Sequence, residues 1–308
     1  MGLTIGVDVG GTKVAAGVVD EDGNILAQLK RPTPSSDRVD VEDTIAACVA
    51  ELRGTYEVQA VGIGAAGFID AARATVLFAP NLAWRDEPLR AEVARRSGLP
   101  VVVENDANAM AWGEFRFGAG RGQPDLCAVT VGTGIGGGIV LGGRLYRGGF
   151  GVAAEVGHLR VVPDGRPCGC GNRGCWEQYC SGRALIRAAL ERPSARVLAL
   201  SAGGDVTGPA VTQAAHEGDP AAVACFADIG SWLGQGLAEL AAVLDPGCFV
   251  VGGGVADAGD LLIGPARVRF AEALTGRGYR PCAEIRLAAL GNDAGLVGAA
   301  DLAREVAD

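Results

Sequence analysis

Lysine is nearly missing from this 308-residue chain: Lys13 and Lys30 stand beside 25 arginines and 36 acidic residues, and the formal charge is −9. The arginines are scattered singly or in pairs such as Arg95-Arg96, so no basic patch offsets the acidity. An acidic chain repels polyanions, which argues against nucleic acid as a partner. No apolar run reaches the ~18–20 residues that span a bilayer. The start, Met1-Gly2-Leu3-Thr4-Ile5, has neither the basic flank nor the apolar stretch of a secretory signal. Position 6 is Gly where a myristoylation signal wants Ser or Thr. The expectation is a cytoplasmic protein with no membrane partner. Aromatics make up only 5%, yet 49% hydrophobic and 20% charged residues are ordinary for a soluble globular chain. Nine cysteines in a reducing compartment point to metal or packing before disulfides. Glycine is what abounds: 49 residues, more than double the usual share of about 7%. Such glycine marks tight turns and close backbone approaches.

The length fits two domains or one large one. A strand over 3–7 leads to the turn Gly10-Gly11-Thr12-Lys13, a second strand over 14–19 and a hairpin at Asp22-Gly23-Asn24. Residues 31–36 read as a loop, after which Asp40 caps a helix with Val41, Ile45, Cys48, Val49 and Leu52 on one face. A strand over 58–63, a helix over 86–97, a strand over 101–103 and a helix from Asp106 to about Phe117 follow. The opening pattern then restarts: a strand over 126–131, the glycine turn 132–138, and another strand and hairpin. Two copies of one unit suggest an internal duplication. A long helix over 220–244 is stopped by Asp245-Pro246-Gly247. A strand over 248–251 meets a third turn, Gly252-Gly253-Gly254, and a last helix spans 294–306. Strands alternating with helices indicate α/β layers.

Each glycine turn alone is weak evidence, but three after apolar strands suggest backbone N–H groups aimed at phosphate oxygens. Asp8, at the tip of the first strand, suits Mg²⁺ held through waters, and Thr12 and Lys13 add a hydroxyl and a cation. The first turn carries neither a Walker A nor a Rossmann motif, and 134–138 is only a loose variant of the latter, so a nucleotide is bound in another way. Cys168, Cys170 and Cys175 bring three thiolates together in eight residues, and His158 lies ten residues earlier. This donor set suits a closed Cys₃His structural zinc site. The alternative is three packed thiols beside a core histidine. Asn105-Asp106 sits where a strand gives way to a helix, a place that favours an ionised carboxylate by roughly 0.3–1 kcal/mol. The residues alone leave both a catalytic base and a plain N-cap open for Asp106. Glu155 and His158, three apart, project to one side if the segment is helical.

Asp8-Val9-Gly10-Gly11-Thr12-Lys13, Gly132-Thr133-Gly134 and Gly252-Gly253-Gly254 resemble the phosphate 1, phosphate 2 and adenosine segments of the actin-like sugar kinases. With Glu155-Val156-Gly157-His158 and the run Cys168 to Glu177, the chain resembles the ROK family over essentially its whole length, most closely the family's bacterial ATP-dependent glucokinases. The resemblance implies a two-domain actin-like α/β fold, ribonuclease H-like and duplicated, with an interdomain active-site cleft. Residues 1–106 plus 294–308 would form the small domain and 107–293 the large one with the zinc loop. It implies ATP-dependent phosphorylation of glucose at its 6-hydroxyl, with Asp106 as catalytic base. Gly67, Asn105, Asp106, Glu155, His158 and Glu177 would face the sugar. Asp8, Gly10, Gly11, Thr12, Lys13 and the second and third glycine turns would hold ATP with Mg²⁺. Structural Zn²⁺ falls on His158, Cys168, Cys170 and Cys175, with the second ring nitrogen of His158 turned to the sugar. A homo-oligomer, dimer or tetramer, is expected.

Two rivals remain at this level. Another hexose, such as mannose, fructose or an N-acetylhexosamine, could be the acceptor, or polyphosphate the donor. The repressor branch of the family carries a helix-turn-helix ahead of the first phosphate turn, whereas seven residues precede Asp8. His216, Trp84 and Trp232 match nothing catalytic, and the other six cysteines are expected to be packing residues.

Overall fold

The computed structural model describes residues 2–34, 38–201 and 203–307. In chain order the elements are β1 (Leu3–Val9), β2 (Lys13–Val19), β3 (Ile25–Pro32), α1 (Arg38–Arg53), β4 (Val58–Ala65), β5 (Phe68–Ile69), β6 (Val76–Phe78), β7 (Arg85–Glu87), α2 (Leu89–Ser97), β8 (Val101–Asn105) and α3 (Asp106–Phe117). There follow β9 (Leu126–Val131), β10 (Ile135–Leu141), β11 (Arg144–Tyr146), α4 (Gly182–Glu191), α5 (Ala195–Leu200), α6 (Gly208–His216), α7 (Pro220–Leu244), β12 (Cys248–Gly252), α8 (Asp260–Ala273), β13 (Glu284–Leu287) and α9 (Ala294–Ala303). Among the described residues no helix is long and apolar enough to cross a membrane.

Some boundaries differ from the sequence reading for local reasons. α1 starts at Arg38, so Asp40 lies in its first turn instead of capping it. Arg31 and Pro32 complete β3 through pairing with Val14 and Lys13; Ser35 and Ser36 of the expected loop lie outside the described residues. Residues 85–87 pair with β6, which delays α2 to Leu89. The last helix ends at Ala303 and tightens into a 3₁₀ turn over Arg304–Val306.

Two five-stranded sheets have the orders β3-β2-β1-β4-β8 and β11-β10-β9-β12-β13. In the first, β1, β4 and β8 run parallel and β2 and β3 are antiparallel additions. In the second, β9, β12 and β13 run parallel. When only its own strands are numbered in chain order, each sheet reads 3-2-1-4-5, so the duplication seen in the glycine turns extends to strand order. The small sheet β5-β6-β7 is an addition to the first half.

The chain divides into two compact units. One comprises the residues through Pro124, Gly138–Ala154 and everything from Ala289; the other comprises Asp125–Gly137 and Glu155–Ala288. The first unit thus extends past 106 and takes in α3 and the hairpin after β10. Glycine explains this. Gly17, Gly6 and Gly62 lie opposite one another on β2, β1 and β4. A Cβ on Gly6 or Gly62 would overlap the Leu296 or Ala299 carbonyl of α9, and one on Gly17 would press on the Leu296 side chain at 3.2 Å. These three positions form a groove without side chains in which α9 lies backbone against sheet. On its other side, a Cβ on Gly298 would overlap the Ala109 carbonyl of α3, and one on Gly113 would overlap the Ala294 carbonyl. Backbones this close make α3 and α9 one packing element. On the opposite face of the sheet, Ile5, Val7, Ile63 and Val103 belong to a fully buried core with Ile45 of α1 and with Trp84.

The second unit repeats the device between helices. Gly230 and Gly234, one turn apart on α7, face the Leu262 and Ala266 carbonyls of α8. Asp219 caps α7 through the Ala222 N–H, Pro220 occupies the first turn, and Asp245 ends the helix in the left-handed region at φ 45°.

Candidate active site

In the first unit, register places the functional groups. Asp8 pairs with Gly64, and Val9 and Asn105 both pair with Ala65, so β1, β4 and β8 end side by side. Ligands of open α/β sheets bind beyond such carboxyl ends. Asn105 is the N-cap of α3: its Oδ1 accepts from the Ala107 and Asn108 N–H groups at 2.9 and 3.1 Å. Its Nδ2 donates to the Gly67 carbonyl at 3.1 Å, which leaves one amide N–H for a ligand. Gly67 is held against β6, where a Cβ would overlap the Phe78 carbonyl. Because Asn105 does the capping, Asp106 is the first residue of the helix, and its Oδ1 accepts from the N–H of its neighbour Ala107 at 3.0 Å. Burial raises the Asp106 pKa, against a lowering by backbone N–H groups, so the helix start does not dominate as the sequence suggests. A carboxylate base shifted toward neutrality accepts a proton more effectively.

Asp8 is pushed up to about 6, first by burial, then by Asp106, with Lys13 pulling down and Asp293 adding to the rise. Neighbouring carboxylates with one nearby ammonium suit a hard dication, which fits Mg²⁺ carried in with a nucleotide. Asp293 escapes the sequence reading. It precedes α9, and its Oδ1 accepts from Gln28 Nε2 at 2.8 Å. A signal was present, since Asn292-Asp293-Ala294 repeats the triplet Asn105-Asp106-Ala107. The first glycine turn closes on a Gly10 N–H to Lys13 carbonyl bond of 3.0 Å, with Gly11, Thr12 and Lys13 exposed.

In the second unit, the turns after β9 and β12 sit beside each other, since Gly252 pairs with Thr130 and the Val255 N–H donates to the Val131 carbonyl at 3.0 Å. Gly253 has φ +88°, and a Cβ there would lie 2.7 Å from the Val131 carbonyl oxygen. The N–H of Gly182, at the head of α4, donates to the Gly132 carbonyl at 2.7 Å. Between these turns, α4 and α6 lies a cavity of about 780 Å³, lined among others by Thr133, Arg183, Thr212, His216, Gly254 and Asp257. Its size is that of a small-molecule site. His216, unmatched by any sequence motif, is therefore a pocket residue; α4 and α6 bring it there without a local signature.

The Cys₃His group is assembled. The ligand atoms of His158, Cys168, Cys170 and Cys175 all lie within 4.8 Å of one another. Cys168 Sγ is 3.7 Å from His158 Nδ1, and Cys170 Sγ is 3.6 Å from Cys175 Sγ. Those edges fit a tetrahedron with Zn–S bonds of about 2.3 Å and are too long for a disulfide. His158 presents Nδ1 to the thiols, while Nε2 lies 3.9 Å from Glu155 Oε2. The chain enters this turn through Ala154 at φ 69°, a strained value for a residue with a Cβ. On the far side Trp176 is fully buried, donates from Nε1 to the Trp232 carbonyl at 2.7 Å, and packs where Gly236 leaves room for its ring. This anchor fixes Glu177, whose Oε1 lies 3.1 Å from Cys168 Sγ. A Cβ on Gly134 would be 2.7 Å from Glu177 Oε2, so the second glycine turn and Glu177 are neighbours. Cys48, Cys127, Cys180, Cys225 and Cys248 are buried as expected for packing; Cys282 is exposed, contrary to that expectation.

Within one unit, then, come together Asp8, Gly10 to Lys13, Gly67, Asn105 and Asp106; within the other, both remaining glycine turns, Glu155, His158, Glu177 and the three cysteines. A strand order repeated in two sheets, with glycine turns at the ends of parallel strands, is the actin-like sugar-kinase architecture. Within that class the chain belongs to the ROK family, whose profile matches residues 4–306. It is 56% identical to a glucokinase of Streptomyces coelicolor over 99% of this chain and 98% of that protein. It is 37% identical to a glucokinase of Thermotoga maritima over 98% of this chain and 97% of that one. The crystal structure of a ROK family glucokinase from Streptomyces griseus in complex with glucose and AMPPNP superposes with a TM-score of 0.92, at 56% identity, covering 99% of this chain and all of that one.

Proposed function

We propose that the chain is a glucokinase that transfers the terminal phosphoryl group of ATP to the 6-hydroxyl of glucose. The observation that carries the acceptor chemistry is the division of roles at the head of α3: Asn105 satisfies the helix start and leaves the Asp106 carboxylate for a substrate. The full-length likeness to glucokinases supports glucose as the acceptor. Asp106 orients the hydroxyl and takes its proton. In a loose phosphoryl transfer that proton leaves late, so positioning and charge neutralisation carry most of the rate. The N–H groups of the glycine turns and Lys13 meet the phosphates. The remaining Asn105 N–H, Glu155, His158 Nε2 and Glu177 read sugar hydroxyls. Asp8 would hold Mg²⁺, which supplies positive charge to the β- and γ-phosphates. His158, Cys168, Cys170 and Cys175 would hold structural zinc, which sets the His158 ring and the Glu177 turn.

A coupled assay with ATP over glucose, mannose, fructose, N-acetylglucosamine and N-acetylmannosamine, repeated with polyphosphate, tests the reading. Glucose with ATP should have the highest kcat/KM. A higher value for another hexose, or for polyphosphate as donor, would overturn the assignment.

A further inference from the structure

Of the buried carboxylates that the mechanism does not use, one adjoins the candidate base. Glu104, next to the Asn105-Asp106 corner, is 1% exposed, a costly position for a carboxylate unless it is paired. Its two oxygens have separate tasks. Oε2 takes two guanidinium groups, with Arg73 Nε at 3.0 Å and Arg147 Nε at 2.8 Å. Oε1 accepts from the Asn105 peptide N–H at 2.9 Å and from Asn108 Nδ2 at 3.0 Å. The second pair brackets Asp106 by one residue before and two after.

Both arginines are anchored elsewhere in the first unit. Arg147 donates from its terminal nitrogens to the Ala71 and Asp70 carbonyls at 3.0 and 2.9 Å. Arg73 reaches Glu305 at 2.5 Å, and its own carbonyl accepts from the Val103 N–H of β8 at 3.2 Å. Arg73 holds φ 54°, a left-handed value that a long side chain keeps only where its surroundings enforce it. Four separate stretches of chain, at 70–73, 104–108, 147 and 305, therefore converge on one carboxylate.

We infer that Glu104 is a positioning residue for the acceptor side of the reaction, resting on the kinase reading above. By fixing the Asn105 peptide and the first turn of α3, it sets where the Asp106 carboxylate stands, while the arginine pair keeps Glu104 from turning away. A misplacement of about 1 Å at a reacting group costs on the order of 100-fold in rate. Among the described residues, none of the hydrogen bonds and ion pairs given above for this cluster reaches the glycine turn of the first unit, so nucleotide binding should be spared.

The test uses the intact protein and the variants Glu104→Gln, Arg147→Met and the double variant, each checked for folding by circular dichroism and thermal melting. Glu104→Gln should lower kcat by ~10–100-fold with ATP KM within about twofold. Arg147→Met should lose less, and the double variant should resemble Glu104→Gln alone, as expected when two residues act through one contact. A folded Glu104→Gln with kcat within about threefold of wild type, or an ATP KM that rises as far as kcat falls, would overturn the inference. If Glu104→Gln does not fold, Arg147→Met decides by the same comparison of kcat with ATP KM. A wild type that phosphorylates no hexose overturns the kinase reading and this inference with it; an active wild type with unaffected variants overturns this inference alone.

Discussion

At the scale of single residues, the Asn105-Asp106 corner makes the sharpest claim. Asp106→Asn keeps shape and some hydrogen bonding but removes the proton acceptor. It should lower kcat by ~10²–10⁴ while glucose still binds in calorimetry; a variant with more than about a tenth of wild-type kcat would show that Asp106 is not the base. The sequence made this pair visible but could not divide its roles, because Asn and Asp are about equally good N-caps. Only the bonds from Ala107 and Asn108 to Asn105 decide it. Burial around Asp106 was equally hidden, since it comes from chain far away in sequence. The Cys₃His donor set was easier to read because three of its four residues lie within eight positions.

At the scale of elements, α7 was legible over 220–244, and its stop at Asp245-Pro246-Gly247 is a local signal. The start of α2 was not, because β7 owes its existence to pairing with β6. The groove for α9 was also invisible, although its glycines were countable, since a strand glycine does not announce what lies over it. Gly62→Ala puts a methyl group into the Ala299 carbonyl and should lower stability by about 3 kcal/mol, measured by denaturant unfolding. A change below about 0.5 kcal/mol would mean that α9 is not held this closely. The joint of α1, β7 and α2 carries a pH dependence. Glu42 of α1 and Glu87 of β7 are both buried. Burial first, then a side-chain hydrogen bond to Glu87 and its charge, push Glu42 from 4.5 up to about 7, with Glu92 adding to the rise and Arg96, 2.7 Å away, opposing it. A carboxyl raised on folding adds stability in acid that is lost as pH rises through about 7. The melting temperature should therefore fall from about pH 5 to about pH 8, and Glu42→Gln should flatten that fall. Parallel curves for the two proteins would refute it.

At the scale of the whole molecule, duplication was readable from repeated strand-turn-strand patterns, whereas the extent of the first unit was not, because α3 joins it through contacts with a helix nearly 200 residues away. Metal should act on one unit first. Wild type should contain about one zinc per chain by elemental analysis. Cys170→Ser should lose it together with glucose binding, because the same loop carries Glu177, while nucleotide binding should remain measurable. Since Gly134 adjoins Glu177, a few-fold shift in ATP affinity is compatible with this; a zinc-free variant that binds glucose as wild type does is not. The glycine groove also bears on how the chain is made. Domains form as they leave the ribosome, amino terminus first. Here the glycine face of the opening strands cannot be covered until residues 294–303 emerge, by which time everything from 155 to 288 has been synthesised. The first unit thus closes only after the second has been made, and until α9 arrives its bare glycine strip is a surface that a chaperone or another nascent chain can reach.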